Sequence, residues 1–227
     1  MNEQEFKEAL LQKNIILTDE MLNQFHQYFD LINKYNQIMD LTAVSQDEIY
    51  ERHFYNSLTI ATNHSFNNLH LCDVGAGAGF PSIPLKIVFP NMKLTIIDPL
   101  AKRMDFLKIV ILKLNLQDVE LIYQRAEDIS KTNKEKYDIV TARAVARLNI
   151  LVEIVSQLVK VNGWFIAMKG EKAYEELLEA KNALKICKME LKKEEQIPPS
   201  INLYFNKKGS ILNKYPRNYA QIKKKPL

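Results

Sequence analysis

Three glycines fall within five residues, at Gly75, Gly77 and Gly79, in a chain of 227 residues that has only six. At the usual ~7% usage, a chain of this length carries roughly sixteen. Glycine permits turns and close approaches that a Cβ forbids, so clustered use of a scarce residue marks a place where the backbone needs that freedom. The window reads LHLCDVGAGAGFP over 69–81. It begins as a short apolar run of strand character and ends by opening a helix, with Pro81 in the first turn, where a missing N–H costs little.

Short apolar runs alternate with amphipathic segments through the middle of the chain. Strands are predicted at 68–72, 93–97, 119–122, 137–141 and 163–168, and helices at 80–89, 101–115, 147–159 and 171–183. This alternation predicts an α/β fold, a mostly parallel sheet covered by helices on both faces. Two further strand-like runs, 185–194 and 201–206, flank Pro198-Pro199 with no helix-length segment between them. They are predicted to form an antiparallel hairpin at the sheet edge. Upstream, 3–13 and 18–39 carry apolar residues at helical spacing, among them Phe25, Phe29 and Ile32, and 46–62 reads as one helix or two short ones. The predicted organisation is an N-terminal helical segment over 1–63, a main domain over 64–206 and a basic tail over 207–227.

A hydrophobic content of 47% supports a sizeable core. No stretch approaches the ~18 apolar residues of a membrane span, and the acidic, amphipathic start does not resemble a secretory signal. Cys72 and Cys187 have neither disulfide nor metal-ligand spacing. They read as buried residues of a reduced, cytoplasmic protein, Cys72 within a strand and Cys187 within a late one, and no metal site is expected. Charge is uneven: residues 1–60 carry four Lys/Arg against ten Asp/Glu, whereas 207–227 carry seven against none. A basic, acid-free tail fits a polyanionic partner, most simply nucleic acid, and equally a solubilising terminus.

Strand, glycine-rich turn and helix form the dinucleotide-type arrangement, with the ligand outside the carboxyl ends of parallel strands. Asp98 ends the second strand, 19 residues beyond Gly79, where an acid receives two ribose hydroxyls. A nicotinamide dinucleotide prefers G-x-G-x-x-G. Here the third glycine comes one residue early and bulky Phe80 follows. Asp73 leads the turn, where its carboxylate can oppose a cationic amine. S-adenosylmethionine, with an amino acid end, a ribose and no phosphate, suits such acids better. RAED at 125–128 follows the third strand, where Glu127 and backbone groups can lie beside the adenine, although Ala126 and Glu127 also fit a plain helix start.

The ordered segments DLTAV (40–44), RHFYNSL (52–58), DVGAGAGFPSIPL (73–85), LAKRMDFL (100–107), RAED (125–128), TARAVARL (141–148), AMKG (167–170) and YPR (215–217) resemble the bacterial 16S ribosomal RNA guanine-N7 methyltransferases, RsmG or GidB. The resemblance spans nearly the whole chain. It implies a Rossmann-like class I S-adenosylmethionine-dependent methyltransferase, with a mostly parallel seven-stranded sheet, an antiparallel last strand and preceding N-terminal helices. The implied partner is 16S rRNA or the small ribosomal subunit. The family's cofactor positions fall on Gly75, Phe80, Ala126, Glu127 and Arg143. The chain departs from the family's usual pattern at Asn56, Ser82 and Pro99, and in the NYAQIKKKPL tail.

The chemistry agrees. Guanine N7 has an in-plane lone pair and no proton, so its methylation needs alignment rather than a general base. The chain offers no obvious acid–base dyad, no Asp/Asn-Pro-Pro-aromatic loop after the fourth strand and no cysteine in a nucleophilic setting. Its basic residues are 25 lysines but only six arginines, Arg52, Arg103, Arg125, Arg143, Arg147 and Arg217, all inside the quoted segments. Each alone reads as a structural salt bridge; as a set they point to an anion-binding face. Arg143 and Lys169, ending the fourth and fifth strands, are the expected positioning groups. Arg147, Lys169, Tyr215, Arg217, Lys223, Lys224 and Lys225 are the expected RNA contacts. His53 reads as a satisfied helix histidine. The protein is expected to act as a monomer. The rival readings are a nicotinamide-dependent oxidoreductase, a non-catalytic ribosome- or RNA-binding protein and a ribosomal-protein methyltransferase.

Overall fold

The structure, a computed structural model, describes residues 1–62 and 64–227. Seven strands, β1 (His70–Val74), β2 (Lys93–Ile97), β3 (Val119–Ile122), β4 (Tyr137–Arg143), β5 (Val159–Lys169), β6 (Met189–Ile197) and β7 (Ser200–Lys207), form one sheet in the order β3-β2-β1-β4-β5-β7-β6. β2 with β3, β1 with β4 and β4 with β5 pair in parallel. β7 runs antiparallel to both β5 and β6, and Ile197 faces Ser200 across the two prolines of the hairpin. β6 therefore runs with β5, and the last strand in sequence is the antiparallel one. The expected α/β sheet and its hairpin are both present.

The chain divides into two compact units. The first comprises Met1–Leu69 and Ala76–Tyr123. It holds β2, β3 and the helices α1 (Glu3–Leu11), α2 (Asp19–Met39), α3 (Asn56–Leu58), α4 (Ser82–Val88) and α5 (Ala101–Lys113). α1 begins with a capping box, in which the Asn2 side chain takes the Glu5 N–H and the Glu5 carboxylate takes the Asn2 N–H. Thr18 caps α2 at Met21 N–H, and Asp40 ends it in the left-handed conformation. Between α2 and α4 the chain does not form the ordinary helix expected. Ile49–Tyr55 is a π-helix, preceded by a 3-10 turn at Gln46–Glu48 and followed by α3 and a second 3-10 turn at Thr59–Thr62. The wider turn buries Tyr50, His53 and Phe54 together, and Phe6, Phe25, Tyr50 and Phe54 pack ring against ring at 5.0–6.2 Å.

The second unit comprises His70–Gly75 and Gln124–Leu227. It holds β1, β4 to β7 and the helices α6 (Ala126–Ile129), α7 (Leu148–Val155), α8 (Ala173–Glu179), α9 (Lys181–Ile186) and α10 (Tyr219–Lys224). The strand expected from residue 185 starts only at Met189. Ala183 and Cys187 are buried four residues apart, so this stretch follows helical spacing, and Lys188 at φ +52 then redirects the chain. Cys187 thus caps a helix instead of lying in a strand, whereas Cys72 is in β1 as expected. Both are buried free thiols, and burial pushes that of Cys187 up to about 11.

The C-terminal tail carries order that its composition does not announce. Ile211 and Ile222 are buried, and Asn218 caps α10. Arg217 donates its backbone N–H and Nε–H to Glu153 Oε1, both at 2.9 Å, and Nη2–H to Oε2 at 2.6 Å. Glu153 is 0% exposed on α7. Among the described residues no helix is long and apolar enough to cross a membrane.

Removing one partner of a buried ion pair leaves an uncompensated charge. Arg217→Ala is therefore expected to destabilise the protein by about 3 kcal/mol, the lower end because the guanidinium keeps some solvent contact. Arg147→Ala removes an exposed, solvent-screened pairing and is expected to cost much less than Arg217→Ala. Urea unfolding of the two variants tests this; equal losses would contradict it.

Candidate functional site

The strand order reverses direction between β1 and β4, where open α/β sheets place their ligands, outside the carboxyl ends of the strands. Gly75, Gly77 and Gly79 adopt φ of +72°, +61° and +106°. Within the first unit, the N–H groups of Gly79 and Phe80 both reach the Ala76 carbonyl, at 2.9 and 3.0 Å, closing the turn. The Tyr28 hydroxyl of α2 donates to the Ala78 carbonyl at 2.6 Å. A Cβ at Gly79 would lie 2.6 Å from Ile83 Cγ1 and 2.8 Å from the Tyr28 hydroxyl oxygen, whereas one at Gly77 meets no atom within 4 Å among the described residues. Gly79 is therefore set by packing, and Gly77 leaves an approach to the backbone open.

Phe80 follows the turn and is stacked on His53 at 4.3 Å. His53 Nε2 lies 2.6 Å from Thr42 Oγ1, so it is the satisfied histidine expected. Pro81 stands as the residue before α4, one position earlier than the first-turn place expected for it. Asp98, one residue past β2, is 1% exposed. Its Oδ1 accepts the Leu100 N–H at 2.9 Å, and its Oδ2 lies 3.4 Å from Arg103 Nη1.

In the second unit, Asp73 of β1 is fully buried opposite Thr141 of β4, whose hydroxyl donates to Asp73 Oδ1 at 3.1 Å. Gly75 lies against Val145, whose Cγ2 would be 2.7 Å from an added Cβ. Ala126 and Glu127 open α6, just after its N-cap residue Arg125. Glu127 is 5% exposed, and burial pushes its carboxyl above the ordinary range, opposed by Arg125. Glu127 Oε1 is buried with no hydrogen-bond partner among the described residues; Arg125 Nη1 stands off at 3.7 Å. Arg143 ends β4 beside Met168 of β5, and Lys169 ends β5. The Lys169 ammonium donates to the Ala146 carbonyl at 2.6 Å and pairs with Glu176 at 2.7 Å, so its charge is already matched.

Arginines face carboxylates in this structure: Arg52 with Glu48, Arg103 with Asp98, Arg125 with Glu127, Arg147 with Glu175 and Glu179, and Arg217 with Glu153. The salt-bridge reading of each describes this arrangement better than a free anion-binding face does. Tyr215 is half-buried, its carbonyl held by Gln157 Nε2 at 3.0 Å, whereas Lys223, Lys224 and Lys225 are exposed. Sequence reasoning did not find the supporting residues Tyr28 and Thr141. Tyr28 had a signal, since it sits three residues after Phe25 on the apolar stripe of α2.

The family profile described as "GidB: rRNA small subunit methyltransferase G" matches residues 21–199. The chain is 44% identical over 237 aligned residues to the ribosomal RNA small subunit methyltransferase G of Oceanobacillus iheyensis, covering 100% of both chains. It is 45% identical to that of Bacillus cereus (strain B4264), covering 100% of this chain and 99% of the relative. Among solved structures it resembles a SAM-dependent methyltransferase from Aquifex aeolicus, with a TM-score of 0.60, 16% identity, and 79% of this chain and 98% of that chain covered. It also resembles M. jannaschii TYW2 in complex with AdoMet, with a TM-score of 0.57, 20% identity, and 73% and 78% covered.

The two glycines separate packing from open space. Gly77→Ala is expected to cost about 1–2 kcal/mol, the left-handed penalty of a residue with a Cβ. Gly79→Ala adds overpacking of about 1–3 kcal/mol to the same penalty. Chemical denaturation of both variants measures the difference, and a Gly77 variant as unstable as the Gly79 one would refute the assignment.

Proposed function

Since the chain belongs to the GidB family of rRNA small subunit methyltransferases, we propose that it transfers the S-adenosylmethionine methyl group to N7 of one guanosine in 16S rRNA. The observation that carries this reading is the match to named relatives over the full chain. The open backbone at Gly77 and the unbonded, buried Glu127 oxygen support the choice of cofactor residues, because a polar ligand fills the one and satisfies the other.

S-adenosylmethionine, when bound, supplies an electrophilic methyl group on a positively charged sulfur. Asp73, Gly75, Gly77, Gly79, Phe80, Asp98, Ala126, Glu127 and Arg143 are the proposed cofactor residues. The Asp98 carboxylate accepts the ribose hydroxyls, for which Arg103, at a long 3.4 Å, yields one oxygen. Glu127 accepts at the adenosine end. Asp73 places negative charge behind the start of the turn, toward the cationic amino acid end. Guanine N7 attacks with its own lone pair and releases no proton, so the protein's task is to hold nucleophile, methyl carbon and leaving sulfur in line. Arg143 and Lys169 are proposed to position the reactants, Lys169 from its ion pair with Glu176. Toward the RNA, Lys223, Lys224 and Lys225 present exposed charge, while Arg147, Tyr215 and Arg217 contact it only by giving up, or sharing, the partners they hold.

The direct test incubates small subunits from a strain lacking this gene with the purified protein and methyl-labelled cofactor, then maps the modified nucleotide. One guanosine methylated at N7 is the expected result. Label on ribosomal protein would overturn the reading. Asp98→Asn removes the charge from the ribose acceptor and is expected to weaken S-adenosylhomocysteine binding roughly 10- to 100-fold, measured by calorimetry; unchanged affinity would displace Asp98 from the site.

A further inference from the structure

The segment after β7 is fastened to α7 and the residues just after it at successive points. Gln157 Nε2 donates to the carbonyls of Leu212 at 3.3 Å and Tyr215 at 3.0 Å, Arg217 clasps Glu153, and Ile222 of α10 is buried. This fastening delivers the first residue of α10, Tyr219, to the start of α6. There the Arg125 guanidinium carbon lies 4.8 Å from the Tyr219 ring centroid, within cation–π range. The same guanidinium stands 3.7 Å from Glu127 Oε1, the buried oxygen that lacks a hydrogen bond. Arg125 is about half exposed and on a flexible stem, so nothing in its own sequence position holds it in one rotamer. The ring supplies that restraint.

We propose that Tyr219 is a positioning residue for the cofactor site: its ring, seated by the Arg217–Glu153 clasp, keeps Arg125 beside the Glu127 carboxylate. Glu127 is thereby oriented to accept a hydrogen bond from the cofactor. The inference rests on the assignment of Glu127 to cofactor binding. It gives the tail two functions. Its clasped part, Arg217 and Tyr219, serves the cofactor side, and its exposed lysines remain available to RNA.

The charges that act on the Glu127 carboxyl are Arg125 and Asp128. Burial raises its affinity for a proton, Asp128 raises it further, and Arg125 opposes both. When Arg125 swings into solvent, protonation of Glu127 moves to higher pH. A protonated Glu127 loses acceptor capacity, so cofactor affinity falls as pH drops through that midpoint.

The test compares Tyr219→Ala with Tyr219→Phe, which keeps the ring. In the apoprotein, carbon-13 NMR of labelled glutamate carboxyls, with Glu127→Gln identifying the resonance, gives the Glu127 titration. The midpoint is expected to rise in Tyr219→Ala and to stay unchanged in Tyr219→Phe. Calorimetry near neutral pH is expected to show S-adenosylhomocysteine bound about two- to fivefold more weakly by Tyr219→Ala alone, the effect of losing a partly exposed cation–π contact. A Tyr219→Ala protein that titrates like the parent overturns the proposal, as does a Tyr219→Phe protein that behaves like Tyr219→Ala. Glu127→Gln separates the two levels. If it leaves S-adenosylhomocysteine affinity intact, the cofactor assignment of Glu127 fails. If it weakens binding while Tyr219→Ala does not, only the role of Tyr219 fails.

Discussion

The Tyr28 hydroxyl reaches the Ala78 carbonyl at 2.6 Å only because Gly79 has no Cβ to stand in its way. That contact binds the glycine turn to α2, a helix far upstream in sequence. It also satisfies a buried carbonyl that the tight turn leaves without a helical or sheet partner. Phe54, Phe80 and His53 pack around the same place, and the π-helical turn at Ile49–Tyr55 brings Tyr50, His53 and Phe54 to one side. The N-terminal helices thus form the support on which the turn is held, and Gly77 is left open. Two glycines in one window answer to different surroundings, one to the neighbouring side chains and the other to open space.

Charge follows a second constraint, that buried ions need partners. Glu153 is fully buried and receives three hydrogen bonds from Arg217, 64 residues away. Lys207, fully buried in β7, donates to the Val159 carbonyl and pairs with Glu135. Arginine is scarce in this chain, and its planar fork is used where a carboxylate must be gripped from more than one side, at Glu153 and at the Glu175–Glu179 pair. The basic tail divides along the same line, with Arg217 committed inward and the lysines of α10 facing outward.

Much of this was legible in the sequence. Short apolar runs mark the strands of the sheet, apart from where the sixth begins, and the paired prolines mark the hairpin, because both are local signals. The glycine window and Asp98 are local too. What escaped depends on partners distant in sequence. The acids opposite Arg147 and Arg217 lie about 30 and 64 residues away, and nothing nearby announces them. The tail's seven basic residues mask Ile211 and Ile222, two buried anchors that tie it down. The stretch around Cys187 satisfies helical and alternating spacing at once, so only packing decides where α9 ends and β6 begins. The π-helix likewise follows from aromatic packing, since an ordinary helix has the same composition.

The scarcity of glycine supplies the most direct test of the central claim, that the open turn receives the cofactor. Selective nitrogen-15 labelling of glycine gives six amide signals, from Gly75, Gly77, Gly79, Gly163, Gly170 and Gly209. Titration with S-adenosylhomocysteine is expected to shift the three turn signals, Gly77 included, and to leave Gly163 and Gly209 in place. Turn signals that stay fixed while binding is detected by calorimetry would contradict the account.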